Sequence, residues 1–149
     1  MEGKGKSLCD LLVIGIMEGI VTAIALIGLN FNGGNPIVSI TGLFLMLILS
    51  AKLTGAHLNP ALTAAIMAVE DLAKLKSNLG LAGVMIFSQI VGAYIGQSIS
   101  YLVLRESIFV LGPAHVDLSP PWKVFLLEIF FTFLLMTSIL HSIIPKLNI

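Results

Sequence analysis

The chain has 149 residues, of which 57% are hydrophobic and 11% charged, with no net charge and a mean hydropathy of +1.04. That apolar content is far above, and that charge far below, what a water-soluble domain of this length carries. Scattered lysines exclude a nucleic-acid surface, and the single cysteine, Cys9, excludes an internal disulfide and reads as a thiol near the membrane surface.

Four stretches are apolar enough to cross a bilayer, which takes about 20 helical residues: Leu11 to Leu29, Ile37 to Leu53, Leu79 to Leu104 and Val124 to Ile144. The first begins after Lys4 and Lys6 and could pass for a cleavable leader, but Glu18 interrupts its apolar run, so we read it as a retained span. Gly15 with Gly19, and Gly92 with Gly96, have a spacing that permits close helix contact, although chance glycine is an equal reading of the first pair. The segment NFNGGNP reads as a tight, uncharged turn, and the link from Arg105 to Pro121 as a longer loop with Trp122 as an interfacial anchor.

Between the second and third spans lies PALTAAIMAV, Pro60 to Val69. Ten helical residues reach only about 15 Å, too short to cross. Asn59 as cap and Pro60 at the first helical position supply a helix start, and a re-entrant half-helix is the expectation. Irregular backbone at membrane depth is tolerated only inside protein or beside water, because lipid cannot satisfy free amides and carbonyls. GAHLN therefore lines an aqueous space. A half-helix starting at mid-membrane points its positive end there, which repels cations and protons but admits neutral molecules. The carbonyls of Gly55, Ala56 and His57 are expected to accept hydrogen bonds from a solute and the Asn59 amide to donate one, with Pro60 and Ala61 completing the lining.

GAHLNPALTAA, at Gly55, His57, Asn59, Pro60, Ala61 and Thr63, resembles the first Asn-Pro-Ala loop of the aquaporin and glycerol-channel (major intrinsic protein) family. Glu18 and Thr22 in EGIVT, Gln89 and Gly92 in SQIVGA, and Glu128 and Thr132 in EIFFT resemble its first-, third- and fourth-helix patterns. The repeated Glu-x-x-x-Thr marks a second, inverted copy of a three-span unit, of which only the start is present. The resemblance implies an all-α membrane protein, an incomplete aquaporin-like right-handed helical bundle of four spans and one half-helix, occupying residues 1–149 as a single partial domain. It further implies that Glu18, Gln89 and Glu128 support pore loops, Glu18 by accepting backbone N–H bonds. Glu128 would support a loop whose sequence is absent from this chain, and an unpaired buried acid favours its neutral form. The family is implied to form tetramers, so a homo- or hetero-oligomer in the lipid bilayer is expected.

Other residues carry blander readings. His57 reads as a loop-ordering histidine, since no ligand set lies at metal spacing; His115 and His141 read as interfacial, and VFLLEIFFTFLL as lipid-facing surface. The stretch before the Asn-Pro-Ala is about two residues shorter than the family spacing and ends in Ala51-Lys52, so Thr41 and Phe44 are both candidates for the constriction. With the N-terminus cytoplasmic, Lys4, Lys6, Lys52, Lys74, Lys76 and Lys146 fall inside and Arg105 and Lys123 outside.

The functional expectation is a passive channel for water or small neutral solutes such as glycerol, truncated after its first part. The competing readings are a non-conducting fragment that assembles with or regulates full-length channels, and an ion-coupled transporter in which Glu18 titrates. No cofactor or nucleic-acid partner is expected, and no nucleophile, metal set or phosphate loop points to an enzyme.

Overall fold

The computed structural model describes residues 7–31, 35–104 and 121–143. They form five helices: α1 (Leu8–Phe31), α2 (Pro36–Thr54), α3 (Pro60–Val69), α4 (Leu72–Leu104) and α5 (Pro121–Ile143). All but α3 are long and apolar enough to cross a membrane. Lys4, Lys6, Arg105, His115 and Lys146, with most of the Arg105–Pro121 link and part of the first turn, lie outside the described residues.

Helix starts follow from short polar side chains. Ser7 and Asp10 cap α1 reciprocally: the Asp10 N–H donates to Ser7 Oγ at 3.2 Å, and the Ser7 N–H donates to Asp10 Oδ2 at 2.9 Å. Asn35 and Asn59 each precede a proline, and their Oδ1 atoms accept the N–H of Ile37 (3.0 Å) and Ala61 (2.8 Å). Proline costs nothing at these positions because its missing N–H would have no helical partner. The fourth helix starts at Leu72, ahead of the apolar run from Leu79 by which the span was expected to begin. Asp71 explains the extension: its Oδ1 accepts the Lys74 N–H at 2.9 Å, so the helix is capped before the polar residues Lys74, Lys76, Ser77 and Asn78.

The chain divides into two units, residues 1–108 and 109–149. In the first, α1 packs against both α2 and α4, and α3 packs against α4. The α1–α4 seam is built from small residues. A Cβ on Gly92 would overlap the Gly19 carbonyl oxygen and lie 2.9 Å from its Cα; one on Gly96 would lie 3.0 Å from the Ala23 Cα; one on Gly15 would meet Val84 Cγ1 at 2.7 Å. Both glycine pairs thus sit at the contact, including the pair for which chance was an equal reading. Membranes offer little hydrophobic drive between helices, so such close backbone approach supplies the packing. Large apolar side chains, among them Leu12, Ile16, Ile20, Phe87 and Ile95, point outward, as lipid permits. In the second unit α5 exposes Phe125, Phe130, Phe131 and Phe133, and the Lys123 ammonium lies 6.0 Å from the exposed Trp122 ring. His141 is exposed in its last turn.

Candidate functional site

Helix α2 ends in Gly55, whose φ of 88° is the left-handed conformation that favours glycine and whose N–H bonds the Ala51 carbonyl. The next turn is less expected. Ala56 (φ 58°) and Leu58 (φ 50°) are also left-handed, at a cost of about 1–2 kcal/mol each. Such geometry persists only when its surroundings fix it.

The fixing group is Glu18 on α1. Its Oε2 accepts the Leu58 N–H at 2.9 Å and the Gln89 Nε2–H, from α4, at 2.7 Å. Gln89 also meets Thr63 on α3, whose Oγ1 lies 3.2 Å from Nε2 and 3.4 Å from Oε1. Thr63 Oγ1 in turn lies 3.1 Å from His57 Nδ1 and 3.3 Å from the Asn59 carbonyl. Glu18, Gln89 and Thr63 are each no more than 1% exposed. One connected polar cluster from three helices therefore holds the strained loop. Thr54 adds a local tie by accepting the Ala56 N–H at 3.3 Å.

Two atoms fall outside this satisfaction. Glu18 Oε1 and Thr22 Oγ1, one helical turn apart on α1, are buried and have no partner among the described residues. Buried polar atoms are nearly always bonded, so both mark where further donors or acceptors belong.

The residues expected to line a pore gather around this loop. Gly55, Asn59 and Ala61 are exposed, and Ala56, His57 and Pro60 half-buried. The Oδ1 of Asn59 is engaged in capping α3, which leaves its Nδ2 as the donor on an exposed face. A cavity of about 190 Å³ adjoins, lined by Thr54, His57, Thr63, Met67, Glu70 and Asn78, in which Asn78 Nδ2 donates to both Glu70 oxygens at 3.1 and 3.3 Å. Of the other expected site residues, Thr41 and Phe44 lie on an exposed face of α2 in the first unit, and Glu128 is exposed on α5 in the second. Among the described residues no group of three His, Cys, Asp or Glu is placed to hold a metal.

Sequence reasoning matched Thr63 to the motif without giving it a role. The signal was its position four residues after Asn59, which puts a buried hydroxyl on the turn carrying the cap. The Asn30–Gln97 bond at 2.9 Å between α1 and α4 gave no sequence signal.

The Major intrinsic protein family model matches residues 8–149. Aquaporin-3 of Milnesium tardigradum is 38% identical over 80 residues, which is 54% of this chain and 21% of that protein. The matched stretch thus spans about a fifth of that relative's length. No solved structure matches the chain.

Proposed function

Because the chain belongs to the major intrinsic protein family, and so is an integral multi-pass membrane protein with four apolar helices of spanning length, we propose that it contributes the first Asn-Pro-Ala half of a passive channel for water or small neutral solutes such as glycerol. The single observation that carries this reading is the bond from the Leu58 N–H to Glu18 Oε2. It ties the loop before a ten-residue half-helix to a spanning helix, and so keeps the loop carbonyls and the Asn59 Nδ2 together at one place. Carbonyl acceptors beside one amide donor suit a solute that both donates and accepts. The partial positive charge at the start of α3 disfavours cations and hydronium there. In this reading Gly55, Ala56, His57, Asn59, Pro60 and Ala61 line the path, Glu18 and Gln89 brace it, and the N-terminus is cytoplasmic by the lysine bias.

A second reading is a non-conducting chain that assembles with complete channels, as one subunit of an oligomer. Its setting is the outer face of α1 and α4, where Ile16, Ile20, Phe87 and Ile95 stand exposed to lipid or to another helix. Osmotic swelling of proteoliposomes separates the two. Water or glycerol permeability above empty vesicles, from verified inserted protein, supports conduction by this chain; permeability equal to empty vesicles removes it and leaves assembly with another chain. Flux that ignores pH and collapsed ion gradients excludes a transporter coupled through Glu18.

A further inference from the structure

The cavity beside the loop has a charged end and an apolar wall. At the charged end Asn78 Nδ2, on α4, donates to both Glu70 oxygens at 3.1 and 3.3 Å. Thr63, which lines the same cavity, stands seven residues back along α3, a rise of about 10 Å. Ile66, Met67, Leu81 and Met85 supply the apolar wall, and the space of about 190 Å³ suits a short molecule with an apolar stem.

Charge decides what head that molecule carries. Glu70 is the C-cap of α3, where a helix presents the negative end of its dipole and carbonyls without helical partners, so a cation is favoured and a carboxylate has the wrong sign. The last turn of α3 holds no basic residue. Among the described residues Glu70 makes no ion pair, because Lys74 reaches Asp71 instead, at 3.5 Å. Its partner Asn78 is a neutral amide, and both residues are half-buried, so this negative charge lines a partly enclosed space without a counter-charge.

We propose that this cavity binds a small organic cation: a primary alkylammonium whose head meets the Glu70 carboxylate at the end of α3 and whose stem lies along Met67 and Met85. An ammonium head has three donors to share between the carboxylate and the last carbonyls of the helix. The stem displaces water from the apolar wall, which an inorganic cation cannot do. The site stands on the cavity and its charge, and does not depend on whether the chain conducts.

The test is an NMR titration of the chain in bicelles, labelled with ¹³C at its methionine methyls, with butylammonium chloride at about pH 8, where an alkylammonium is charged and a histidine of ordinary pKa is mostly neutral. Met67 and Met85 line the cavity and are assigned by their loss in Met67→Leu and Met85→Leu; Met17, Met46 and Met136 are not part of its lining and serve as controls. The expected result is a saturable shift of Met67 and Met85 alone, half-complete on the order of 1 mM, as suits a ligand of so few atoms. Butanol, which has the stem without the charge, and sodium chloride, which has the charge without the stem, should each bind roughly tenfold more weakly or less. Glu70→Gln, which keeps an acceptor for Asn78, should weaken butylammonium roughly tenfold, the worth of one charged hydrogen bond. Equal binding of butanol makes the cavity merely apolar, equal binding of sodium makes Glu70 an unselective acid, and matching shifts at the control methionines mean partition into the bicelle; each overturns the proposal. So does the absence of a shift at Met67 and Met85 at tens of millimolar, or an unchanged affinity in folded Glu70→Gln. The comparison of butylammonium with butanol needs only the wild type, so it decides the matter even where the variant does not fold.

Discussion

Replacing Gly92 with alanine tests the packing that holds the loop in place. The added methyl would overlap the Gly19 carbonyl oxygen and sit 2.9 Å from both the Cα and the carbonyl carbon of Gly19. These are backbone atoms in a regular helix, so no side-chain rotation relieves them, and α1 and α4 must separate by roughly 0.5–1 Å to restore ordinary contact. Overpacking of this kind costs about 1–3 kcal/mol. Separation also stretches the 2.7 Å bond from Gln89, one turn away on α4, to Glu18, adding about 1 kcal/mol. The expected total is about 3 kcal/mol. Gly83→Ala is the control, because nothing lies within 4 Å of its added methyl and alanine favours a helix by up to about 1 kcal/mol. Unfolding by sodium dodecyl sulfate in mixed micelles, followed by far-ultraviolet circular dichroism, should place the two variants on opposite sides of the wild type. If Gly92→Ala unfolds at or above the midpoint of Gly83→Ala, the seam is looser than the geometry requires and the reasoning fails.

Glu18→Ala leaves the Leu58 N–H and the Gln89 amide without their acceptor and should cost about 2–6 kcal/mol in the same assay, at about 1–3 kcal/mol for each unsatisfied buried donor, against about 1–2 kcal/mol for Glu18→Gln, which keeps an acceptor oxygen; equal losses would mean that Oε2 does not hold the loop. Asn59→Asp keeps the α3 cap but replaces the exposed donor with a carboxylate at the positive helix end. In liposomes that show flux, neutral-solute permeation should fall roughly tenfold, one charged bond's worth, and wild-type flux would count against Asn59 as a solute donor. The Lys74 backbone N–H, helped by the Lys74 charge, holds the Asp71 carboxyl below its ordinary 3.8. A lowered folded-state value stabilises above the ordinary value, and the contribution is lost as pH falls from 3.8 through the lowered one. Amide exchange at Lys74 should therefore quicken below that pH in the wild type and show no such step in Asp71→Asn; identical profiles would remove Asp71 as the cap.

Several elements were legible because their causes are local. Spanning length follows from apolar composition, and Asn35-Pro36 and Asn59-Pro60 announce their helices because a cap and a fixed φ act within one turn. The motif from Gly55 to Ala65 marked the loop for the same reason. Helix α4 begins seven residues ahead of its apolar span, because apolar composition reports lipid contact whereas Asp71 lets the helix begin in more polar sequence. The roles carried to Thr41, Phe44 and Glu128 came from a resemblance, which assigns a motif position but not the neighbours a side chain meets; all three are exposed on their helices.

What the sequence determined by itself is therefore the membrane class, the helices and the place of the re-entrant loop. Only the tertiary structure decided which polar atoms meet. Leu58 reaches a carboxylate 40 residues away, and Gln89 reaches the same oxygen across 71 residues. Those meetings depend on the register of α1 against α4, which Gly19, Ala23, Gly92 and Gly96 set by letting two backbones touch. Left-handed Ala56 and Leu58, which no local preference favours, exist because that register puts Glu18 where the Leu58 N–H can reach it. Local signals act over one helical turn; a hydrogen bond between helices exists only after the helices have packed.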